Sequence, residues 1–247
     1  MWVKTERAGI SFWQVAEWCA WPWLAHGFTT AGAGNLLEAV NQEKVAEAAG
    51  ITYPWATVRQ VHGSEVAWVD EGWALGRKAV AADGMVTRTP GLALAAFFAD
   101  CVPLFLVDPE TKTIAVSHAG WRGTKDRIGP ETVARMVEAG CRVANIQAAV
   151  GPSIGPCCYR VSEEMQEFFP AEVFSRRDGQ LYLDLWSANV LQLRQAGVDK
   201  IFTAEQCTMC SGEEFFSFRR DQTKSRMAAV MALRLGKGFS SGCRTSV

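Results

Sequence analysis

Three histidines occur among the 247 residues of this chain, and two of them lie in short glycine-containing words. His62 sits in Arg59-Gln60-Val61-His62-Gly63, and His118 opens His118-Ala119-Gly120-Trp121-Arg122-Gly123. Between them stands Ala99-Asp100-Cys101-Val102-Pro103. Two imidazoles and one thiolate suit zinc with one coordination position left open. A water held there is acidified towards neutrality and becomes a nucleophile. His62, Cys101 and His118 are therefore the candidate ligands and catalytic groups, with Asp100 and Asp83 as candidate proton shuttles. Arg122, Arg219 and Arg220 can hold an anion through guanidinium forks. Gln60, in the His62 word, joins them as a candidate substrate contact. No pair of ligands has zinc-finger or H-E-x-x-H spacing, so spacing alone does not define this site.

These groups must be held by the elements around them. Leu37 to Ala49 reads as a helix stopped by Gly50, and Pro130 to Ala139 as a second with Val133, Met136 and Val137 on one face. Asp184 to Ala196 is a third, with Asp184 as N-cap and Gly197 after its end. Strand patterns cover Ala56–Val61, Glu65–Asp70, Gly84–Thr87, Leu92–Phe98, Leu104–Val107 and Thr113–Ser117. His62 then falls at a turn, Cys101 in the break before Pro103, and His118 just past a strand. Scaffolds commonly present reactive groups at such positions. The apolar stretch from Gly91 to Val107 is interrupted by Asp100 and Pro103, which favours two buried strands over a membrane span.

Composition narrows the class. Apolar residues make up 49% and charged residues 21%, the balance of a globular core. The net charge is −1 with no clustering of Lys and Arg, which argues against a nucleic-acid partner. No signal peptide is read at the N-terminus. Eight cysteines in that setting point to free thiols and a cytoplasmic location. With no repeat or linker, residues 1–247 read as one catalytic domain, with a disordered tail from about 238.

The words around the ligands resemble, in order and over roughly residues 22 to 235, the multicopper polyphenol oxidoreductase ("laccase domain") or purine nucleoside phosphorylase family. They are His26-Gly27-Phe28-Thr29-Thr30, Gln60 to Gly63, Ala82-Asp83-Gly84-Met85-Val86-Thr87, Ala99 to Pro103 and His118 to Gly123. Gly151 to Tyr159, Cys207-Thr208 and Phe215 to Asp221 complete the series. The resemblance implies an α+β fold of mixed sheets packed as a sandwich with helices outside, four layers in α/β/β/α order. It also implies a zinc enzyme, monomeric or homodimeric, that phosphorolyses adenosine, inosine and S-methyl-5'-thioadenosine and deaminates adenosine. Its partners would be purine nucleosides and phosphate, with no membrane. A related fold in cysteine-dependent deamidating toxins keeps open a hydrolase with Cys101 as nucleophile and His118 or His62 as base. A zinc-containing binding protein without turnover is a third reading.

Counting tests the copper reading. A three-copper cluster with a blue-copper centre is built almost wholly of imidazoles, and three histidines cannot supply it. A single copper on the same Cys-His-His set is chemically reasonable, because copper outcompetes zinc at most such sites, and polyphenol oxidation would then be a side activity of a mis-metallated centre. The C-x-x-C of Cys207 and Cys210 lacks the H-x-E partner of nucleobase deaminases. A second, structural zinc on Cys157, Cys158, Cys207 and Cys210 ranks below the first site, since adjacent cysteines are awkward ligands for one tetrahedral ion. Ala31 stands where the resembling family has an arginine, which bears on anion binding; Arg160 could replace that cation.

Overall fold

A computed structural model describes residues 1–73 and 80–235, so the tail expected to be disordered lies outside the described residues. One sheet is antiparallel throughout. Its order is β1 (Trp2–Arg7), β2 (Ile10–Val15), β3 (Leu24–Thr29), β14 (Met227–Leu233) and β6 (Ala93–Phe98). The second sheet is mixed: β13 (Lys200–Thr203), β9 (Gln147–Val150), β7 (Val102–Asp108), β8 (Thr113–Ala119), β5 (Gly84–Thr87) and β4 (Val66–Trp68). Here β13 runs parallel to β9 and β4 parallel to β5. A small antiparallel sheet combines β10 (Arg160–Val161), β12 (Gln180–Leu183) and β11 (Phe174–Arg177). The helices are α1 (Ala39–Ala49), α2 (Trp121–Lys125), α3 (Ile128–Glu138), α4 (Leu185–Gln195) and α5 (Phe218–Asp221).

Strand periodicity explains the layering. In β7, Phe105 and Val107 pack with Leu94, Phe98, Met227 and Met231 of the facing sheet, while Leu104 and Leu106 pack with Ile128, Met136 and Leu193 of α3 and α4. In β6 and β14, the residues turned the other way (Ala95, Phe97, Val230) meet Val45 and Ala46 of α1. Each central strand is therefore buried on both faces, and that is why β6, β7, β8 and β14 read as apolar runs rather than alternating ones. The sandwich with outer helices is the α+β architecture that the family resemblance implied. Truncating Phe105 to alanine in this inter-sheet layer would cost about 3–5 kcal/mol.

Local expectations fared unevenly. α4 is capped as read: Asp184 accepts the Ser187 N–H at 3.0 Å. The stretch from Ala56 to Val61 is not a strand; it meets its neighbours only at isolated bridges, Ala56 to Leu94 and Arg59 to Ala81. Pro103 does not break the chain either. It lies second in β7, paired with His118, at the end of the strand where its missing N–H is tolerable, and its carbonyl accepts the Gly151 N–H at 2.9 Å. Among the described residues Cys101, Cys141, Cys157, Cys158, Cys207 and Cys210 are free thiols. No helix among the described residues is long and apolar enough to cross a membrane.

Candidate metal centre

Cys101 lies in the bend between β6 and β7, where the chain leaves one sheet and enters the other. That corner demands an unusual backbone: Asp100 has φ of +91°. Its carboxylate is tied down on both oxygens, by Thr208 Oγ1 at 2.7 Å and the Arg219 N–H at 2.6 Å. Its carbonyl accepts the Ile154 N–H at 2.9 Å. Positive φ at a non-glycine residue costs on the order of 1–3 kcal/mol, and these bonds hold it. The Asp100 carboxylate thus fixes the corner that presents the Cys101 thiol.

His118 is the sixth residue of β8 rather than a residue beyond it, and is 3% exposed. Its Nδ1 lies 2.8 Å from Asp83 Oδ1, so Nε2 is the atom left to meet Cys101. The buried Asp83 also accepts the N–H groups of Val61 (3.0 Å), His62 (3.0 Å) and Gly63 (2.8 Å). One carboxylate therefore orients His118 and ties down the bend in which His62, at φ of +63°, is held in the left-handed region. The His62 and His118 rings are edge to face, 4.8 Å between centroids.

The ligand atoms of His62, Cys101 and His118 all lie within 4.8 Å of one another. Gly120 leaves the space between them clear: a Cβ there would stand 3.0 Å from Cys101 Sγ and 3.2 Å from His62 Cδ2. Burial alone would push the Cys101 thiol up, but His118 and then His62 reverse this and bring it to about 6. Burial would likewise lower His118, yet the Cys101 thiolate and Asp83 raise it to about 9. Burial opposes ionisation of Asp83 too, and the His118 ring with the Gly63 and Val61 N–H groups holds its carboxyl below the usual range. The donor set is thus a thiolate with two imidazoles, one oriented by a carboxylate, which fits a zinc or copper ion. His62 is exposed while His118 is buried, so the site opens on the His62 side.

The candidate substrate residues fall into two groups. Arg122 is exposed and rests over the Trp121 ring, 4.4 Å from its centroid. Arg219 lies over the Tyr159 ring at 5.1 Å and donates to the Arg160 carbonyl at 2.9 Å. Both guanidinium groups, with Cys101, act electrostatically on Tyr159, so all four share one neighbourhood. By contrast, every guanidinium donor of Arg220 is engaged within the chain, by Thr208, Met209, Phe215 and Asp221. Gln60 likewise pairs its amide with the Phe97 backbone, donating and accepting at 2.9 Å. Tyr159 had no assigned role in the sequence; its place in the Cys-Cys-Tyr word was the available signal. The third histidine, His26, is a core residue whose Nε2 accepts the Val15 N–H at 2.9 Å.

Fold and site together define an α+β sandwich protein with a candidate His-Cys-His metal centre at a sheet-crossing corner. The family model for multi-copper polyphenol oxidoreductase laccase matches residues 32–234, and the chain belongs to that family. It is 39% identical to the "Purine nucleoside phosphorylase" of Deinococcus radiodurans, over 83% of this chain and 81% of that protein. It is also 39% identical to "Adenosine deaminase RL5" from an unknown prokaryotic organism, over 66% of this chain and 68% of that protein. Among solved structures, YlmD from Geobacillus stearothermophilus superposes with a TM-score of 0.84 at 30% identity, covering 95% of this chain and 100% of that one.

Proposed function

We propose that the chain is a zinc-dependent purine nucleoside phosphorylase acting on adenosine, inosine and S-methyl-5'-thioadenosine, with adenosine deaminase activity at the same site. The observation that carries this reading is the convergence of His62, Cys101 and His118, with His118 locked by Asp83, in a chain whose relatives bear both activity names.

The three ligands would hold zinc; when bound, it supplies a Lewis acid and lowers the pKa of water towards neutrality. The chain's own residues do the rest. Asp83 keeps the proton of His118 on Nδ1 and Nε2 free to ligate. Asp100 is a positioning residue for Cys101. Phosphorolysis breaks the bond between the purine nitrogen and the anomeric carbon while a phosphate oxygen bonds to that carbon. Its main demand is an oriented anion, and we assign that to Arg219, which lies over the Tyr159 ring, and to Arg122, whose charge also acts on Tyr159. Deamination adds water at the amino-bearing carbon of adenine and releases ammonia.

One feature favours a second reading. Asp83, His118 and Cys101 stand in the order orienter, base, nucleophile, as in cysteine hydrolases. Metal content separates the two, because bound zinc occupies the thiolate that a hydrolase needs free.

The test incubates metal-analysed protein with adenosine, with and without phosphate, beside Cys101→Ala. Adenine that forms only with phosphate supports phosphorolysis, and inosine in both samples supports deamination. Zinc-loaded protein that makes neither product refutes the nucleoside reading. Metal-free protein that alone turns over an amide substrate would establish the hydrolase.

A further inference from the structure

A second cluster of thiols stands apart from the His-Cys-His site. Cys157 and Cys158 lie in the turn after Gly155, and Cys207 and Cys210 lie in the loop after β13. The four Sγ atoms are all within 4.8 Å of one another. Cys210 Sγ is 3.1 Å from that of Cys158 and 3.4 Å from that of Cys157. Four thiolates around zinc, at Zn–S of about 2.3 Å, define tetrahedral edges of about 3.8 Å. A disulfide needs its sulfurs about 2.05 Å apart. The separations of 3.1 and 3.4 Å lie nearer the first value than the second, and all four thiols are free. We propose that Cys157, Cys158, Cys207 and Cys210 form a tetrathiolate zinc site that staples the 155–159 turn to the 204–211 loop.

The sequence argues against this because two of the ligands are adjacent, and the turn geometry answers that objection. The Gly155 carbonyl accepts the N–H groups of both Cys158 (2.9 Å) and Tyr159 (3.0 Å). This tight turn brings both neighbouring thiols to the same partner, Cys210. Only glycine fits at its head, since a Cβ on Gly155 would stand 2.6 Å from the Trp186 ring and 3.2 Å from Cys157 Sγ.

At Cys207 the surroundings suit a thiolate, while burial and the neighbouring sulfurs push the Cys157 and Cys158 thiols up, so a bound cation must displace their protons. The Gly155 N–H donates to Cys207 Sγ at 3.3 Å, and the Met209 and Cys210 N–H groups act on the same sulfur. Four thiolates around a divalent ion leave two negative charges. Arg220 acts on Cys207 electrostatically and donates to the Thr208 and Met209 carbonyls inside the C-x-x-C turn. Arg177 donates to the Pro156 carbonyl, next to Cys157 in the chain. Four protein ligands close the coordination shell, so the site is structural rather than catalytic, and loading it releases thiol protons. Its position explains a use. Thr208, between two of the ligands, anchors Asp100, and Tyr159, directly after Cys158, carries Arg219 over its ring.

The test measures metal per chain in the wild type, Cys101→Ala and Cys210→Ser, and records cobalt spectra after exchange. Two equivalents are expected in the wild type and one in each variant. The Cys101→Ala protein should keep the stronger charge-transfer bands of four thiolates, and this outcome does not depend on nucleoside turnover. A single wild-type equivalent that Cys101→Ala abolishes would overturn the proposal. Differential alkylation of the wild-type protein requires no variant. Zinc should protect all four thiols until a chelator is added, and rapid labelling of them in zinc-loaded protein, or their recovery as two disulfides, would also overturn it.

Discussion

Replacing Asp83 by asparagine tests the central claim that one buried carboxylate builds the site. Asp83 Oδ1 accepts from His62 N and His118 Nδ1, while Oδ2 accepts from Val61 N and Gly63 N. Asparagine keeps one oxygen and turns an NH2 group towards the other pair. In one orientation Val61 and Gly63 lose their acceptor. In the other, His62 N–H loses its acceptor and the His118 ring can accept only by moving its proton to Nε2, which removes it as a ligand. One or two part-buried N–H groups lose their acceptor according to the orientation, and at no more than about 1–3 kcal/mol each metal-free stability should fall by at most about 1–6 kcal/mol. Zinc affinity should fall about 10–100-fold, as when other groups that orient metal-bound histidines are changed. Urea unfolding of the metal-free protein reads the first quantity, and competition with a chromophoric chelator reads the second. An Asp83→Ala variant, which leaves His118 Nδ1 without this acceptor in any orientation, would refute the claim that Asp83 orients His118 if it bound zinc as tightly as the wild type.

Gly120→Ala should weaken zinc binding by roughly tenfold while leaving metal-free unfolding nearly unchanged. Its φ of −67° suits alanine, so the only penalty is the new Cβ against Cys101 Sγ and His62. Tight zinc binding in this variant would show that the space is not used. His26 has an ordinary value of 6.5, and burial pushes it down to about 3. The unfolded chain therefore takes up a proton first, so the stability this neutral histidine supports is complete above pH 6.5 and is lost as pH falls towards 3. His26→Gln should lose less stability than the wild type between pH 7 and 4; equal acid limbs in urea titrations would refute the assignment. Asp184→Ala should cost about 1 kcal/mol through loss of the α4 cap, without change in turnover. Unchanged thermal unfolding would contradict the cap.

The sequence alone determined which segments are buried and which residue types carry the chemistry. Strands such as 93–98 and 102–108 declared themselves because burial on both faces demands uninterrupted apolar side chains. Asp184 and Gly197 marked the ends of α4 because capping is a local hydrogen-bond requirement. His62, Cys101 and His118 stood out through the words around them, and the structure brings them together. Packing of the two sheets sets how residues far apart come within an atom's reach. Thr208 finds Asp100 across 108 positions, and Asp83 finds His118 across 35, because two stacked sheets place a crossing corner, a strand end and a bend at one edge. The same stacking engages Gln60 with Phe97 and Arg220 with four neighbours, which residue type could not foretell. Pro103 reads as a breaker by local rules, yet it sits inside β7 because the neighbouring strand stops before needing its missing N–H. Local preference is set by a few neighbouring dihedrals and hydrogen bonds. The site is set by which elements the packed core forces into contact.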